Sequence, residues 1–497
     1  MTAFQDHVDA AAGAYPAVTS VHEADKRFDR LDGQAAPFAS RARNLAGAVR
    51  HYRTLTRIDT TREELLALQR RRLVETARHA AAASPLYREL YARVELADDL
   101  DVRALPVVTK AMLMERFDKW VTDPRLRLGE VESHLEQARS DELYQHEYRC
   151  LPTGGTTGQK GIFVYDRQEW RQVLAVILRW SELTDLRPRL GRRVRFARIM
   201  STSPLHISGR FGLSFDLGLH AMRQLDARAP LRDLVTALNH HQPEHLWGYP
   251  SLVSLLAIEQ LEGHLRIAPR AVATTGEVRT EQMARNIRDA WGVEPFNLYA
   301  TTEGLFGSEC EHHQGIHLFE DLGLVEVVDD DNQPVTEGVP GAKLLFTSFI
   351  KRTQPLLRYE LSDMVALSTA PCACGRPLAR IVSLQGRNDD VLHLTAADGQ
   401  SIVVHPLTLQ TPIEALPELR QYKVVHDHDG LHVLVTLRDG VDAEQASQHL
   451  EAALRAALLA ADVSDPSLDV TILSELPREQ RHSAKFKLIE SRISPIP

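Results

Sequence analysis

A glycine- and threonine-rich segment, residues 153–161, most constrains what this chain can fold into. It reads Thr-Gly-Gly-Thr-Thr-Gly-Gln-Lys-Gly, and extended patterns flank it at Glu147 to Leu151 and at Ile162 to Tyr165. Glycines let a backbone approach a phosphate closely, and successive backbone amides form an anion-binding nest. The spacing does not match Gly-x4-Gly-Lys-Ser/Thr, and the segment joins two strands without opening a helix. It therefore indicates a phosphate-binding loop of another kind, or a flexible surface turn.

Short apolar runs alternate with helical patterns through most of the chain. Thr61 and Glu64 form a capping box before a helix predicted to run to about Ala83. Farther on, an apolar run from Ala271 to Thr275 precedes a helix predicted from Thr280 to Trp291. Such alternation is typical of α/β proteins. We therefore expect an α/β fold with a large N-terminal part of several subdomains, whose β-sheets are flanked by helices.

The last stretch of the chain has a different pattern. Strands are predicted at Tyr422 to His426 and at Leu431 to Leu437, followed by a helix and one more strand. A unit of roughly 110 residues is large enough to be a separate small domain. We expect an N-terminal ATP- and acid-binding domain over residues 1–386 and a small, mobile C-terminal α+β domain over residues 387–497.

Composition excludes several classes of function. The chain has 497 residues and a net charge of −9, which argues against a general nucleic-acid binder because such proteins need excess Lys and Arg. Its apolar runs fall short of the roughly 18 residues that span a bilayer, and the N-terminus lacks the apolar region of a secretory signal. With four cysteines in this length, a disulfide framework is not expected. A cytoplasmic protein without membrane or nucleic-acid partners is therefore expected.

Several motifs in order along the chain resemble those of the adenylate-forming superfamily of acyl-CoA synthetases, adenylation domains and luciferases. They are the loop at 153–161, Leu298 to Gly304 (LYATTEG), Leu357 to Asp363 (LRYELSD), Gly386 to Asp390 (GRNDD) and Ser483 to Lys487 (SAKFK). Within that superfamily the chain is most similar to the phenylacetate-CoA ligase and coenzyme F390 synthetase group, through segments such as Leu105 to Lys110 (LPVVTK) and Trp247 to Ser251 (WGYPS). The resemblance covers roughly residues 65–495.

The resemblance implies a reaction in which a carboxylate attacks the α-phosphate of ATP, giving an acyl-adenylate and pyrophosphate. It assigns catalytic roles to Lys485 as a charge donor, to Glu303 as the Mg²⁺ ligand and to Thr302 at the α-phosphate. Residues of the nucleotide site would be Thr153, Gly154, Gly155, Thr156, Thr157, Gly158, Lys160, Gly276, Glu277, Tyr299, Asp363 and Arg387. Asp389 would be the hinge of the C-terminal domain. For Lys485 and Glu303 the alternatives are a surface lysine and a carboxylate in the first turn of a helix.

The acid pocket is less constrained by the sequence. Trp247, Tyr249 and Pro250 resemble a segment that lines it in ligases of aryl acids, and aromatic walls suit a flat substrate. The alternative is that these residues are ordinary core aromatics. His206 and His220 fall in the stretch expected near the pocket, and no motif fixes their roles.

A second candidate site comes from cysteine placement. Cys310-x-x-His313 and Cys372-x-Cys374 supply the ligand types that a structural Zn²⁺ prefers, and some members of the same group carry a similar pairing. His312 and His317 compete with His313 as the fourth ligand. The alternative is three unrelated reduced cysteines.

The acceptor of the activated acid stays open at this stage. The resemblance favours CoA, but the segment from Val391 to Gln400 departs from the family pattern that serves the CoA-using conformation. An amine or a carrier-protein thiol is therefore an alternative acceptor, and a non-catalytic nucleotide-binding scaffold is an alternative of another class. A homodimer is expected only by resemblance. A basic run either meets the phosphates of CoA or forms a solvated face; its members are Arg187, Arg189, Arg192, Arg193, Arg195 and Arg198.

Overall fold

The computed structural model describes most of the chain. The described ranges are 38–55, 60–153, 160–184, 193–215, 220–388, 391–396, 400–463, 467–476 and 485–493. Their helices are α1 (Phe38–Tyr52), α2 (Arg62–Ala83), α3 (Pro85–Leu90), α4 (Lys110–Glu115), α5 (Phe117–Trp120), α6 (Leu128–Gln137), α7 (Arg167–Leu183), α8 (Ile207–Phe215), α9 (Leu231–His241), α10 (Pro250–Leu261), α11 (Glu281–Trp291), α12 (Pro406–Glu414) and α13 (Ala443–Ala460), with a short 3₁₀ turn at Val102–Ala104. None of these helices is long and apolar enough to cross a membrane.

Strands alternate with helices from Ile162 to Ala300, as the sequence predicts, and within the described ranges the strands from Phe296 to Val404 follow one another without an intervening α-helix. The strands are β1 (Arg149–Pro152), β2 (Ile162–Tyr165), β3 (Val194–Met200), β4 (His220–Asp226), β5 (His245–Gly248), β6 (Ala271–Thr275), β7 (Phe296–Ala300), β8 (Phe306–Ser308), β9 (Ile316–Leu318), β10 (Gly323–Val328), β11 (Lys343–Ser348), β12 (Tyr359–Leu361), β13 (Asp363–Ser368), β14 (Arg380–Arg387), β15 (Leu392–Thr395), β16 (Ser401–Val404), β17 (Leu419–Asp427), β18 (Gly430–Leu437), β19 (Leu468–Ile472) and β20 (Ile489–Ser491).

A large mixed sheet is formed by strands that lie between Val194 and Arg387. Its order within the described ranges is β13-β14-β9-β8-β7-β6-β5-β3-β4, a nine-stranded sheet. Strands β4, β3, β5, β6 and β7 run parallel, and the strands beyond β7 are antiparallel. Connections between parallel strands run through helices such as α9, α10 and α11, because parallel neighbours need a crossover. The carboxyl ends of these parallel strands lead into the site, as they commonly do in α/β sheets.

Helix α2 illustrates how local chemistry sets an element boundary. Thr61 is its N-cap and forms the predicted capping box with Glu64, and Ser84 ends it before Pro85 begins the next helix. The predicted helix at Thr280 is also present, with the Thr280 side chain accepting from the Met283 amide at 3.3 Å. The α/β prediction with flanking helices is confirmed.

The C-terminal residues pack around a hydrophobic cluster of their own. Its buried members run from Leu392 to Ile489, and the cluster of the preceding part ends at Ile381. Strands β19, β18, β17 and β20 form a sheet on which α13 packs, and β20 joins β17 in parallel. The predicted hairpin is present as β17 and β18. The boundary between residues 386 and 387 stays a prediction.

Candidate active site

The glycine- and threonine-rich segment connects two paired strands. β1 and β2 are antiparallel, with Pro152 opposite Ile162, as the flanking patterns predict. The Thr153 amide donates to the Gly161 carbonyl at 2.7 Å, and the Gly161 amide donates to the Thr153 hydroxyl at 2.9 Å, so the base of the loop is closed. Lys160 is exposed. Gly154, Gly155, Thr156, Thr157 and Gly158 lie outside the described residues, so their phosphate-binding role stays a prediction.

A cavity of about 590 Å³ lies at the carboxyl ends of the parallel strands. Its volume falls within the range typical of small-molecule sites. Residues assigned from sequence to the nucleotide, the metal and the acid line it together; they are Thr153, Trp247, Tyr249, Gly276, Glu277, Tyr299, Thr302, Glu303, Asp363, Arg387 and Lys485. Lys160 and Pro250 are not among its described lining residues.

Glu303 occupies a tight turn directly after β7. The Gly304 amide donates to the Thr301 carbonyl at 3.2 Å, and Gly304 has a φ of +102°, a conformation that glycine adopts without steric cost. The Tyr165 hydroxyl donates to the Thr302 carbonyl at 2.6 Å and so stabilises the turn. Burial raises the pKa of Glu303, although the cationic side chains of Arg387 and Lys110 oppose the shift. A buried carboxylate next to a threonine hydroxyl is a donor set that suits a hard cation.

Asp363 and Arg387 face each other across β13 and β14. They are paired in register, and Arg387 Nε lies 3.7 Å from Asp363 Oδ1. Tyr299, buried on β7, lies beside this pair, and burial followed by the Asp363 carboxylate raises the pKa of its hydroxyl well above the usual range. Thr275, at the end of β6, has a buried hydroxyl that meets no partner among the described residues. A ligand with polar groups would satisfy that hydroxyl, which fits a nucleotide.

Gly276 and Glu277 connect the cavity to the C-terminal residues. Gly276 has a φ of +87°, which glycine adopts without steric cost. A Cβ there would also be crowded, because it would lie 3.1 Å from the Tyr249 ring and 3.2 Å from Lys485 Cε. Glu277 Oε2 accepts from the Ser251 hydroxyl at 2.7 Å, and Oε1 accepts from the Phe486 amide at 2.6 Å. Burial raises the pKa of the Glu277 carboxyl.

Lys485 enters the cavity from the segment preceding β20. The hydrogen bond of Phe486 to Glu277 fixes the backbone next to it. Burial, then the nearby Arg387, lowers the pKa of Lys485 to about 8, and the carboxylates of Glu277 and Asp363 act in the opposite direction. An ammonium in this position is partly desolvated and close to the groups assigned to ATP. Asp389, the predicted hinge, lies outside the described residues.

Aromatic side chains form the wall on the side of β3 and β5. Trp247 and Tyr249 belong to it, and the Tyr249 hydroxyl accepts from the Ser201 amide at 3.2 Å. Pro250 was predicted to line the pocket, but it is the first residue of α10, where its fixed φ suits a helix start. Burial, then Lys485 and Arg198, lowers the pKa of His206 to about 3, so this imidazole is neutral at physiological pH.

The three cysteines predicted as metal ligands lie close together, and His317 rather than His313 lies beside them. Cys310, Cys372 and Cys374 are buried free thiols, and His317 joins them, all four ligand atoms lying within 4.8 Å of one another. His313, the predicted fourth ligand, is not part of this cluster: its ring packs on Phe296 with centroids 4.6 Å apart, and its Nδ1 lies 3.3 Å from Glu309. His317 lies on β9, which pairs with β14 and therefore lies beside the loop that carries Cys372 and Cys374.

Some functional side chains were missed by sequence reasoning. Lys110, the first residue of α4, lines the cavity near Glu303. The Tyr165 hydroxyl supports the Glu303 turn. Of the basic run, Arg187, Arg189 and Arg192 lie outside the described residues, Arg195 is exposed, and Arg198 is buried in the cavity wall. Period-two alternation on a predicted strand could have separated these two arginines.

No family model matches the chain, but individual proteins and solved structures are similar to it. The chain is 25% identical over 378 residues to the phenylacetate-coenzyme A ligase of Thermus thermophilus, covering 74% of this chain and 80% of that enzyme. Identity to the phenylacetate-coenzyme A ligase of Escherichia coli is 26%, over 66% of this chain and 72% of the other. The solved structure of 2-hydroxyisobutyryl-CoA ligase, in the postadenylation state with R3-HIB-AMP, has a TM-score of 0.63 at 18% identity and covers 86% of this chain and 89% of its own. That likeness is one of fold.

Proposed function

We propose that the chain is a member of the adenylate-forming superfamily, in its phenylacetate-CoA ligase-like group, and that it uses ATP to activate a carboxylic acid and then transfers the acyl group to CoA. The first step forms an acyl-adenylate and releases pyrophosphate. The observation that carries the proposal is one cavity in which Lys485, Glu303, Asp363 and Arg387 meet beside an aromatic wall. These residues come from distant parts of the chain.

Each polar residue of the cavity has a separate proposed role in adenylation. The reaction concentrates negative charge between the α- and β-phosphates, so preorganised cations are the main catalytic device. We assign Lys485 to the oxygen that bridges acid and phosphate and the Thr302 hydroxyl to the α-phosphate. Asp363 is suited to both ribose hydroxyls, with Arg387 beside it at 3.7 Å. Because Glu277 binds the Phe486 amide, it holds Lys485 at the cavity during this step.

Mg²⁺ fits the same site. Glu303 is a buried carboxylate whose raised pKa indicates that a neighbouring cation would stabilise its ionised form. Glu303 would hold the ion, which would supply positive charge to the phosphates. Arg387 and Lys110 act against the rise in the pKa of Glu303. Their positive charges also make this region favourable for a polyphosphate.

Carboxylate-dependent exchange of labelled pyrophosphate into ATP, over a panel of acids, tests the first half-reaction. Product formation after adding CoA, an amine or a carrier protein then identifies the acceptor. Lys485→Ala should abolish exchange and leave thioester formation from preformed adenylate largely intact. Lys119→Ala is a matched control, because Lys119 is an exposed lysine paired with Glu89. Tight ATP binding without exchange for any acid would favour the scaffold alternative, and equal loss of both steps would contradict the role of Lys485.

We also propose that Cys310, His317, Cys372 and Cys374 hold a structural zinc ion. Two sulfurs bound tetrahedrally at about 2.3 Å would lie about 3.8 Å apart, and Cys310 Sγ lies 3.8 Å from Cys372 Sγ. His317 Nε2 lies 3.4 Å from Cys374 Sγ, a separation that also fits a shared ion. Although burial acts to raise it, the pKa of the Cys374 thiol is lowered by hydrogen bonds from Arg376, which favours the thiolate that zinc requires.

Metal analysis of the purified protein tests the zinc site. We expect about one equivalent of zinc, lost in Cys372→Ser and His317→Ala, together with a lower melting temperature. His313→Ala is the matched control and should retain the metal, since its ring contacts Phe296 and Glu309 instead. Zinc well below one equivalent in undialysed samples, with unchanged stability of Cys372→Ser, would remove this proposal.

A further inference from the structure

A buried arginine stands in the aromatic wall of the cavity. Arg198 is in the middle of β3, and period-two alternation places it on the same face as Phe196 and Met200. It is 4% exposed, yet it lines the cavity together with Trp247, its registered neighbour on β5. A guanidinium in such a setting is stable only when hydrogen bonds use its donors.

Gln224 and Gly212 fix the position of the Arg198 side chain. Arg198 Nη2 donates to Gln224 Oε1 at 2.7 Å, across the register of β3 and β4. Gly212 on α8 packs over this pair, and a Cβ there would lie 2.2 Å from Arg198 Nη2 and 2.4 Å from Gln224 Nε2. A glycine at this position therefore leaves the space that the pair occupies.

Trp247 adds a second donor to the same wall. The other buried tryptophans each give their indole N–H to an acceptor: Trp120 to the Pro355 carbonyl, Trp170 to the Ser214 hydroxyl and Trp180 to the Gly307 carbonyl. The Trp247 Nε1 is also buried, and it meets no acceptor within the described part of the chain. An unsatisfied buried donor beside a ligand cavity indicates an acceptor on the ligand.

The remaining wall is flat and aromatic. Trp180 meets Trp247 edge to face with ring centroids 5.8 Å apart, and Phe196 stacks on Trp247 at 6.4 Å with an interplanar angle of 28°. Phe211 and Trp180 also line the cavity. Rings arranged in this way favour a planar substrate over a branched aliphatic one.

Resting on the adenylation proposed above, we propose that the acid is aromatic and carries a hydrogen-bond-accepting oxygen besides its reacting carboxylate, bound by Arg198 and the Trp247 N–H. A ring hydroxyl, a carbonyl or a second carboxylate shares this chemistry. A site that offers a buried donor such as the Trp247 N–H discriminates strongly against analogues without the acceptor, because that donor is then left unpaired. Arg198 and Trp247 act here as specificity-determining residues.

Pyrophosphate exchange with matched pairs of acids tests this proposal. Benzoate and phenylacetate are compared with their ring-hydroxylated and ring-carboxylated derivatives, and kcat/KM is measured for each. The wild-type protein should prefer an oxygen-bearing acid by roughly 10- to 100-fold. Hydroxyl and carboxyl derivatives, compared with each other, distinguish a neutral acceptor from an anionic one.

Two variants address the residues directly. Trp247→Phe keeps an aromatic ring and removes the N–H, and Arg198→Met keeps an unbranched chain and removes the charge; each should reduce the preference to within a few-fold. Trp170→Phe is the matched control, because Trp170 donates to Ser214 outside the cavity, and it should keep the preference. If Arg198→Met does not fold, Trp247→Phe alone decides.

The outcomes separate this proposal from the one on which it rests. Exchange that is as efficient with unsubstituted acids as with oxygen-bearing ones in the wild type would overturn the specificity and leave adenylation standing. A preference that persists unchanged in Trp247→Phe would also overturn it. Absence of exchange with every acid would remove adenylation and this proposal together.

Discussion

Replacing Arg420 by glutamine should slow adenylation and spare thioester formation. Arg420 lies on β17, in the C-terminal residues, and forms ion pairs with Glu259 at the end of α10 and with Glu262, whose Oε2 is 3.3 Å away. The side chain of Arg420 is 19% exposed, and those of its two partners are 10% and 15% exposed. These ion pairs therefore fasten the C-terminal residues in the orientation that brings Lys485 into the cavity.

The magnitude follows from the partial burial of these ion pairs. Hydrogen bonds to charged groups contribute about 1.5–3 kcal/mol, and water reaching a partly exposed pair keeps the value near the low end. His264 Nδ1 also lies 3.0 Å from Glu259, so that carboxylate keeps one partner after the change. A loss of about 1.4 kcal/mol shifts the ratio of docked to undocked molecules about tenfold. Pyrophosphate exchange should fall by up to that factor.

The assay compares the two half-reactions in the same protein preparation. Exchange reports adenylation, and thioester formation from preformed acyl-adenylate and CoA reports the second step, which should be unchanged or faster in Arg420→Gln. Arg455→Gln is the control, since Arg455 and its partner Glu451 lie on one helix and are each 42% exposed. An equal fall in both half-reactions, or unchanged exchange, would refute the reasoning.

Further predictions concern the cavity itself. Because burial and a neighbouring arginine lower the pKa of Lys485 to about 8, its charge is lost as pH rises through that value. Exchange should then fall roughly tenfold per pH unit above it, and a flat profile to pH ~10 would count against a role for the ammonium. Tyr165→Phe removes the 2.6 Å hydrogen bond to the Thr302 carbonyl, so exchange should decrease several-fold, corresponding to about 1 kcal/mol; wild-type rates would contradict this. Gly276→Ala should lower the free energy of unfolding, measured with denaturant, by more than Gly263→Ala, because both have positive φ but only Gly276 is crowded; equal losses would show that crowding is unimportant.

Part of the fold could be predicted from local sequence. The capping box at Thr61 and Glu64 determines where α2 begins, and the apolar run from Ala271 to Thr275 forms β6 in the parallel part of the large sheet. Strand β20 was not predicted, because three residues, Ile489–Ser491, give no periodic signal and their partner β17 lies far away in sequence. Pairing over such a separation depends on the tertiary fold.

In the site, too, some features follow from local sequence and others depend on the tertiary fold. Motif residues such as Glu303, Asp363 and Lys485 could be assigned individually, and the structure gathers them in one cavity. From the sequence, His313 was preferred to His317, whereas the antiparallel pairing of β9 with β14 places the His317 imidazole beside the cysteines. Arg198 was read as one member of a basic run, and its burial follows from its position on β3 in the middle of the sheet.

Glu277 links the acid pocket to the docking of the C-terminal residues. One oxygen of its carboxylate accepts from Ser251, two residues after Tyr249 in the aromatic wall, and the other accepts from the amide next to Lys485. If filling of the pocket moves the Tyr249 segment, it changes how firmly the C-terminal residues dock. Thermodynamic reciprocity then requires docking to change the affinity for the acid by the same factor. A single buried carboxylate would thus make binding of the acid and closure cooperative.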